Sequence, residues 1–199
     1  MTPLLKDRLN TVTVKGLRPG TGHLPGGRAR FMRENAMPDT RSTYRPPARL
    51  LHWSMAVLIL ATIPVGLLMT QEGLARTLQN SLYIFHKNVG VLLLILVLLR
   101  LVYRARRQPP PLPASVPDWQ HRIAGLSHLA LYALLVIMPV AGYIRVRAGG
   151  FPIEALDAMG VPGFVPRSDA LAETAQTIHY FGGLALMALV ALHIGAALH

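Results

Sequence analysis

The chain has no cysteine among its 199 residues. That excludes disulfides, thiolate metal sites, iron–sulfur clusters and covalently attached c-type haem. Redox chemistry would have to use other ligands, chiefly histidine, which occurs eight times. Charge is also scarce: Asp, Glu, Lys and Arg make up 15% of the residues, against about 25% in an average soluble domain. Acidic residues are the scarcest, nine against 20 Lys and Arg, which leaves a formal net charge of +11. A basic excess often signals nucleic-acid binding. Here it sits mainly in the first 49 residues and in one short loop, both beside apolar runs. It is therefore read as a topology signal, and no nucleic-acid partner is expected.

Apolar residues make up 52% of the chain and cluster in four long runs. These cover about 49–70, 82–103, 123–144 and 177–199. Each is near the ~20 residues that a helix needs to cross ~30 Å of hydrocarbon. Helices are the expected spanning form, because the backbone in lipid must satisfy its own hydrogen bonds. Pro64 and Pro139 fall late in the first and third runs. Residues 1–47 are polar, basic and rich in Gly and Pro, with no helical or strand period, and are expected to be disordered. They lack the apolar core and cleavage site of a signal peptide. Met37 opens a stretch that would itself make a natural start, so 1–36 reads either as tail or as upstream extension. The sequence stops at His199, directly behind the fourth run, which reads as a truncated end. The fold class expected is all-α: an integral membrane four-helix bundle over 48–199 behind a disordered basic tail.

Lys and Arg near the helix ends give an orientation. Arg41, Arg45 and Arg49 precede the first run, and Arg100, Arg104, Arg106, Arg107 and Arg122 flank the second loop. The first loop holds only Arg76, and the longer third loop spreads out Arg145, Arg147 and Arg167. This bias places both termini in the cytoplasm.

With that topology the histidines take depths. His52 lies near the cytoplasmic end of the first helix and His86 near the outer end of the second. His179 and His193 lie near the outer and inner ends of the fourth. The last two are separated by roughly 21 Å along a helix and fall within ~40° of the same face. Four imidazoles thus form two pairs, one near each membrane surface, as two bis-histidine haems require. Gly90, Gly182, Gly183 and Gly195 follow these histidines closely and would let a large flat ring approach the backbone. The plain alternative is that each histidine only hydrogen-bonds a neighbouring helix, although ionisable groups inside a membrane mark function by default. His128, inside the third helix, fits a haem neighbour, a quinone-pocket residue or a packing residue equally well. His121 reads as interfacial and His23 as solvated.

The segments Arg-Leu-Leu-His-Trp (49–53), Phe-His-Lys-Asn-Val-Gly (85–90), Ser-His-Leu-Ala-Leu-Tyr (127–132), Pro-Val-Ala-Gly-Tyr (139–143) and Leu-His-Ile-Gly-Ala-Ala-Leu-His (192–199), in this order and spacing, resemble the bacterial cytochrome b561 family. The likeness covers about 40–199. It implies a four-helix bundle in the bacterial inner membrane with two haem b groups. His52 and His193 would be axial ligands of the cytoplasmic-side iron, and His86 and His179 of the outer-side iron. Some members look like superoxide oxidases, which take an electron from superoxide outside and deliver it to ubiquinone. Others look like electron carriers. If the chain is an enzyme, the resemblance makes it a superoxide:ubiquinone oxidoreductase.

On this reading a small one-electron donor is oxidised outside and quinone is reduced in the membrane. Lys87, Arg145 and Arg147 are candidate contacts for an anionic donor. Each also suits interfacial snorkelling or haem propionate pairing. His128 and His199 are candidate quinone contacts. Two rivals stand beside this one: a cytochrome b membrane anchor for a dehydrogenase or hydrogenase, and a haem-free transporter lined by histidines.

Overall fold

The computed structural model describes residues 46–107 and 117–198. Nearly all of the tail expected to be disordered, the proline-rich spacer 108–113 and His199 lie outside these residues. Among the described residues all regular structure is helical. Helix α1 is Pro46–Leu68, α2 is Arg76–Arg106, α3 is Asp118–Ala148, the short α4 is Glu154–Ala158 and α5 is Asp169–Leu198. The four long helices are long and apolar enough to cross a membrane.

Local sequence explains where these helices start and stop. Pro46 and Pro47 open α1, where the missing N–H groups cost nothing and the fixed φ suits a first turn. Gly73, at φ 81°, turns the chain toward α2. Ser168 caps α5: its hydroxyl accepts from the Leu171 N–H at 3.3 Å and its carbonyl from that of Ala172 at 2.9 Å. Arg145 and Arg147 lie in the last turn of α3, where cations complement the helix dipole.

The helices overrun their apolar runs. Helix α2 begins at Arg76 rather than 82, α3 runs on to Ala148, and α5 begins at Asp169 rather than 177. Apolar composition marks only the part inside hydrocarbon, whereas the backbone ladder continues into water. At 31 residues each, α2 and α3 reach roughly 46 Å, well past the ~30 Å apolar layer. The long third loop therefore shrinks to 149–168 and contains α4.

Consecutive long helices run antiparallel, with α1 against α2, α2 against α3 and α3 against α5. Met55, Leu93 and Val97 form a small core with Leu58, Ile59, Val89, Tyr132, Leu135 and Val136. The contact between α3 and α5 is the most extensive and buries small residues: Ala141, Ala148, Ala172 and Ala175. Small side chains let helices approach closely where lipid offers no hydrophobic drive for association. Large apolar side chains such as Leu50, Trp53, Leu129 and Leu192 face outward, as lipid contact requires. Helix α5 makes little direct backbone contact with α1 or α2. Its histidine rings nonetheless come close to histidines on both.

Candidate functional site

The segment 149–168 closes one end of the bundle, here termed the capped end. At the opposite, basal end α1 begins and α5 finishes. Near the capped end the rings of His86 on α2 and His179 on α5 have centroids 6.0 Å apart, at 75° to one another. Near the basal end those of His52 on α1 and His193 on α5 are 6.3 Å apart, at 85°. The structure thus brings His86 together with His179, and His52 with His193.

The capped-end pair sits against two proline-containing helices. Nδ1–H of His179 donates to the Met138 carbonyl at 3.0 Å, just before Pro139, leaving Nε2 free for another partner. A Cβ on Gly142 would stand 3.2 Å from Cε1 of His179. On the other side a Cβ on Gly66, two residues past Pro64, would stand 2.8 Å from Cε1 of His86. His86 Nδ1 and the neighbouring Thr62 hydroxyl are buried without hydrogen-bond partners.

The family model described as prokaryotic cytochrome b561 matches residues 43–199. The chain belongs to that family. It is similar to cytochrome b561 homolog 2 of Escherichia coli (strain K12), 28% identical over 156 residues, covering 78% of this chain and 82% of the relative. Cytochrome b561 homolog 1 of the same organism is 30% identical over 119 residues, covering 57% and 64%. Membership makes the chain a membrane haem b protein of bacterial type.

The residues of this chain fit such a group. Two imidazoles on opposite sides of one metal, each bonded at about 2 Å, would have centroids about 6 Å apart. Both histidine pairs have that spacing. Two axial imidazoles are what a haem iron takes from a protein, because its equatorial ligands come from the macrocycle.

The glycines divide differently from expectation. A Cβ at Gly90 or Gly195 would meet nothing within 4 Å, so both border open space. Gly182 instead seats Met138, whose Sδ would lie 2.7 Å from a Cβ there, so it serves contact between α3 and α5. Gly66 and Gly142, which abut His86 and His179, escape sequence reasoning because their partners lie on other helices. Pro-Val-Gly at 64–66 and Pro-Val-Ala-Gly at 139–142 were the available signal.

The capped-end cations are largely engaged. Lys87 pairs with Glu154 at 2.6 Å and donates to the Pro152 carbonyl at 2.8 Å. Asn88 holds Glu154 at 3.1 Å and accepts from the Ala155 N–H at 2.9 Å. Burial pushes the Glu154 carboxyl up, but the Lys87 and Asn88 hydrogen bonds and the Lys87 charge hold it below its ordinary value. Arg147 pairs with Asp157, and that hydrogen bond holds the Asp157 carboxyl low. These bonds, with the fully buried Ile153, fasten α4 over the end of the bundle. Arg145 donates to Gln176 at 2.9 Å instead of to a carboxylate, and its guanidinium lies 5.9 Å from the Phe151 ring centre.

At the basal end a third imidazole joins the pair: the His128 ring lies 5.6 Å from that of His193. The structure thus brings His128 to the His52–His193 pair. His199 lies outside the described residues.

Proposed function

We propose that the chain binds two haem b groups, one between His86 and His179 and one between His52 and His193. It would carry electrons between a small donor at the capped end and the membrane quinone pool. The observation that supports this best is the repeated ring spacing of 6.0 and 6.3 Å, with one histidine of each pair on α5. Haem held in this way would supply a one-electron redox centre. The protein's own part is to orient the imidazoles, to keep water from the pairs and to control access at the two ends. The Met138 carbonyl fixes the ring of His179 by accepting a hydrogen bond from its Nδ1–H.

The capped end is assigned to the outside. Around it the basic residues Arg76, Lys87, Arg145, Arg147 and Arg167 balance the acidic Glu72, Glu154, Asp157, Asp169 and Glu173. Around the basal end Arg49, Arg100, Arg104, Arg106, Arg107 and Arg122 stand against Asp118 alone among the described residues. The positive-inside bias thus favours a cytoplasmic basal end. Superoxide is the donor and ubiquinone the acceptor on this reading. With no net positive field at the capped end, attraction of an anion falls to Arg145 and Arg167, neither of which pairs with a carboxylate among the described residues.

A reduced-minus-oxidised visible spectrum with a haem-to-protein ratio tests the cofactor reading, and two haems per chain are expected. Stopped-flow mixing with superoxide tests the donor. Reduction no faster than that of free haem would reject superoxide while leaving the cytochrome intact.

A further inference from the structure

Helix α2 carries Arg100 in the apolar stretch Leu98–Leu99–Arg100–Leu101–Val102. A cation there is costly unless it is paired. Its Nε donates to the Tyr132 hydroxyl at 3.0 Å and its Nη1 to the Ala48 carbonyl at 2.8 Å. Both partners are neutral, and no carboxylate pairs with Arg100 among the described residues. A guanidinium has five N–H donors in a planar fork, so these two bonds leave donors free on both Nη atoms. Tyr132 is also faced by Arg104, whose guanidinium carbon lies 5.7 Å from the ring centre. Ala48 lies four residues before His52 on α1, and Tyr132 four residues after His128 on α3, so each partner of Arg100 is one helical turn from a basal-end histidine on the same face. A half-buried guanidinium, held in place and short of a counter-ion, therefore stands beside the His52–His193 pair.

We propose that Arg100 pairs with a propionate carboxylate of the haem held by His52 and His193, with Tyr132 as a positioning residue. The inference rests on the reading that haem occupies that pair. A planar fork suits a carboxylate bidentately, and a charge-assisted bond in a low-dielectric setting is stronger than a neutral one. Tyr132 and the Ala48 carbonyl take only part of the fork, and they fix its direction before the carboxylate arrives. A lipid phosphate could also answer the charge, and the test separates the two.

The experiment is a spectroelectrochemical titration of the purified dihaem protein, wild type against Arg100→Gln, Arg100→Lys and Tyr132→Phe. A positive charge near a haem favours its reduced form, so removing the charge lowers the midpoint potential. In Arg100→Gln one midpoint potential is expected to fall while the other stays. Arg100→Lys should restore most of the fall, and Tyr132→Phe should show a smaller one. Repeating the Arg100→Gln titration in a His86→Ala background, which keeps only the basal haem, should reproduce the shift. Redox-difference infrared spectra with carbon-13 in the propionates should show a labelled band displaced in Arg100→Gln. Two unchanged potentials at full haem content would overturn the proposal and leave Arg100 to lipid or packing. If Arg100→Gln loses its basal haem, Arg100→Lys and Tyr132→Phe decide by the same titration. Wild-type protein without Soret absorbance would overturn the haem reading itself.

Discussion

Gly66 on α1 abuts the His86 imidazole on α2, and the Cβ it lacks would lie 2.8 Å from Cε1 of that ring. Helix backbone and a rigid ring leave little room to adjust. Gly66→Ala should therefore move the ring or part the helices, at a cost of about 1–3 kcal/mol. Weaker haem retention at the capped end is expected, read as a lower haem-to-protein ratio and a lower melting temperature. Gly142→Ala, where the approach to His179 is 3.2 Å, should act in the same direction and more weakly.

The ring pairs give a sharper pattern. His86→Ala or His179→Ala should each remove one haem of two, and His52→Ala or His193→Ala should remove the other. His128→Ala should retain both, because the His52 and His193 rings already have axial spacing without it. Pyridine haemochrome analysis of the five variants reads the outcome. Loss of a haem in His128→Ala alone would exchange its role with that of His52.

The capped end should loosen in acid. The folded-state pKa of Glu154 lies below its ordinary 4.5, so ionised Glu154 stabilises the fold above that value. The contribution is lost as pH falls below about 4.5 through the depressed folded value. Asp157, held low by Arg147, adds the same dependence at lower pH. Hydrogen exchange over 150–158 should rise as pH drops through this window, after correction for the intrinsic rate. Glu154→Gln should show fast exchange at pH 7 and little further pH dependence. The pair is part-exposed, so the effect on global stability should stay within about 1 kcal/mol.

If superoxide is the donor, the two capped-end arginines without carboxylate partners should matter more than the two paired cations. Arg145→Ala with Arg167→Ala should slow reduction by superoxide several-fold and flatten its salt dependence. Lys87→Ala should act mainly through the loosening of α4. Stopped-flow rates at low and high ionic strength distinguish these outcomes.

The spans and the depths of the histidines were legible because both depend on one helix at a time. Apolar runs locate α1, α2, α3 and α5, and the rise per residue places His179 and His193 at opposite ends of α5. Relations between helices were harder to read. Lys87 reads as a free cation until Glu154, 67 residues away, is found against it. Gly66 and Gly142 look like ordinary membrane-helix glycines until their ring partners are known. The approach of His128 to His193 joins two different helices, so it left no trace in spacing. Helix α4 was missed because five residues held by distant side chains carry no period of their own.

Helix α5 also acts as a ruler. Each pair takes one imidazole from it, so the interval between the two sites is set by backbone rise, roughly 21 Å between His179 and His193. Breathing of α1 or α2 could tilt or release a ring without stretching that interval. If haem occupies both pairs as proposed, tunnelling distance is insulated from the softer motions of the bundle, and mutations elsewhere should alter occupancy well before they alter the rate of transfer between occupied sites.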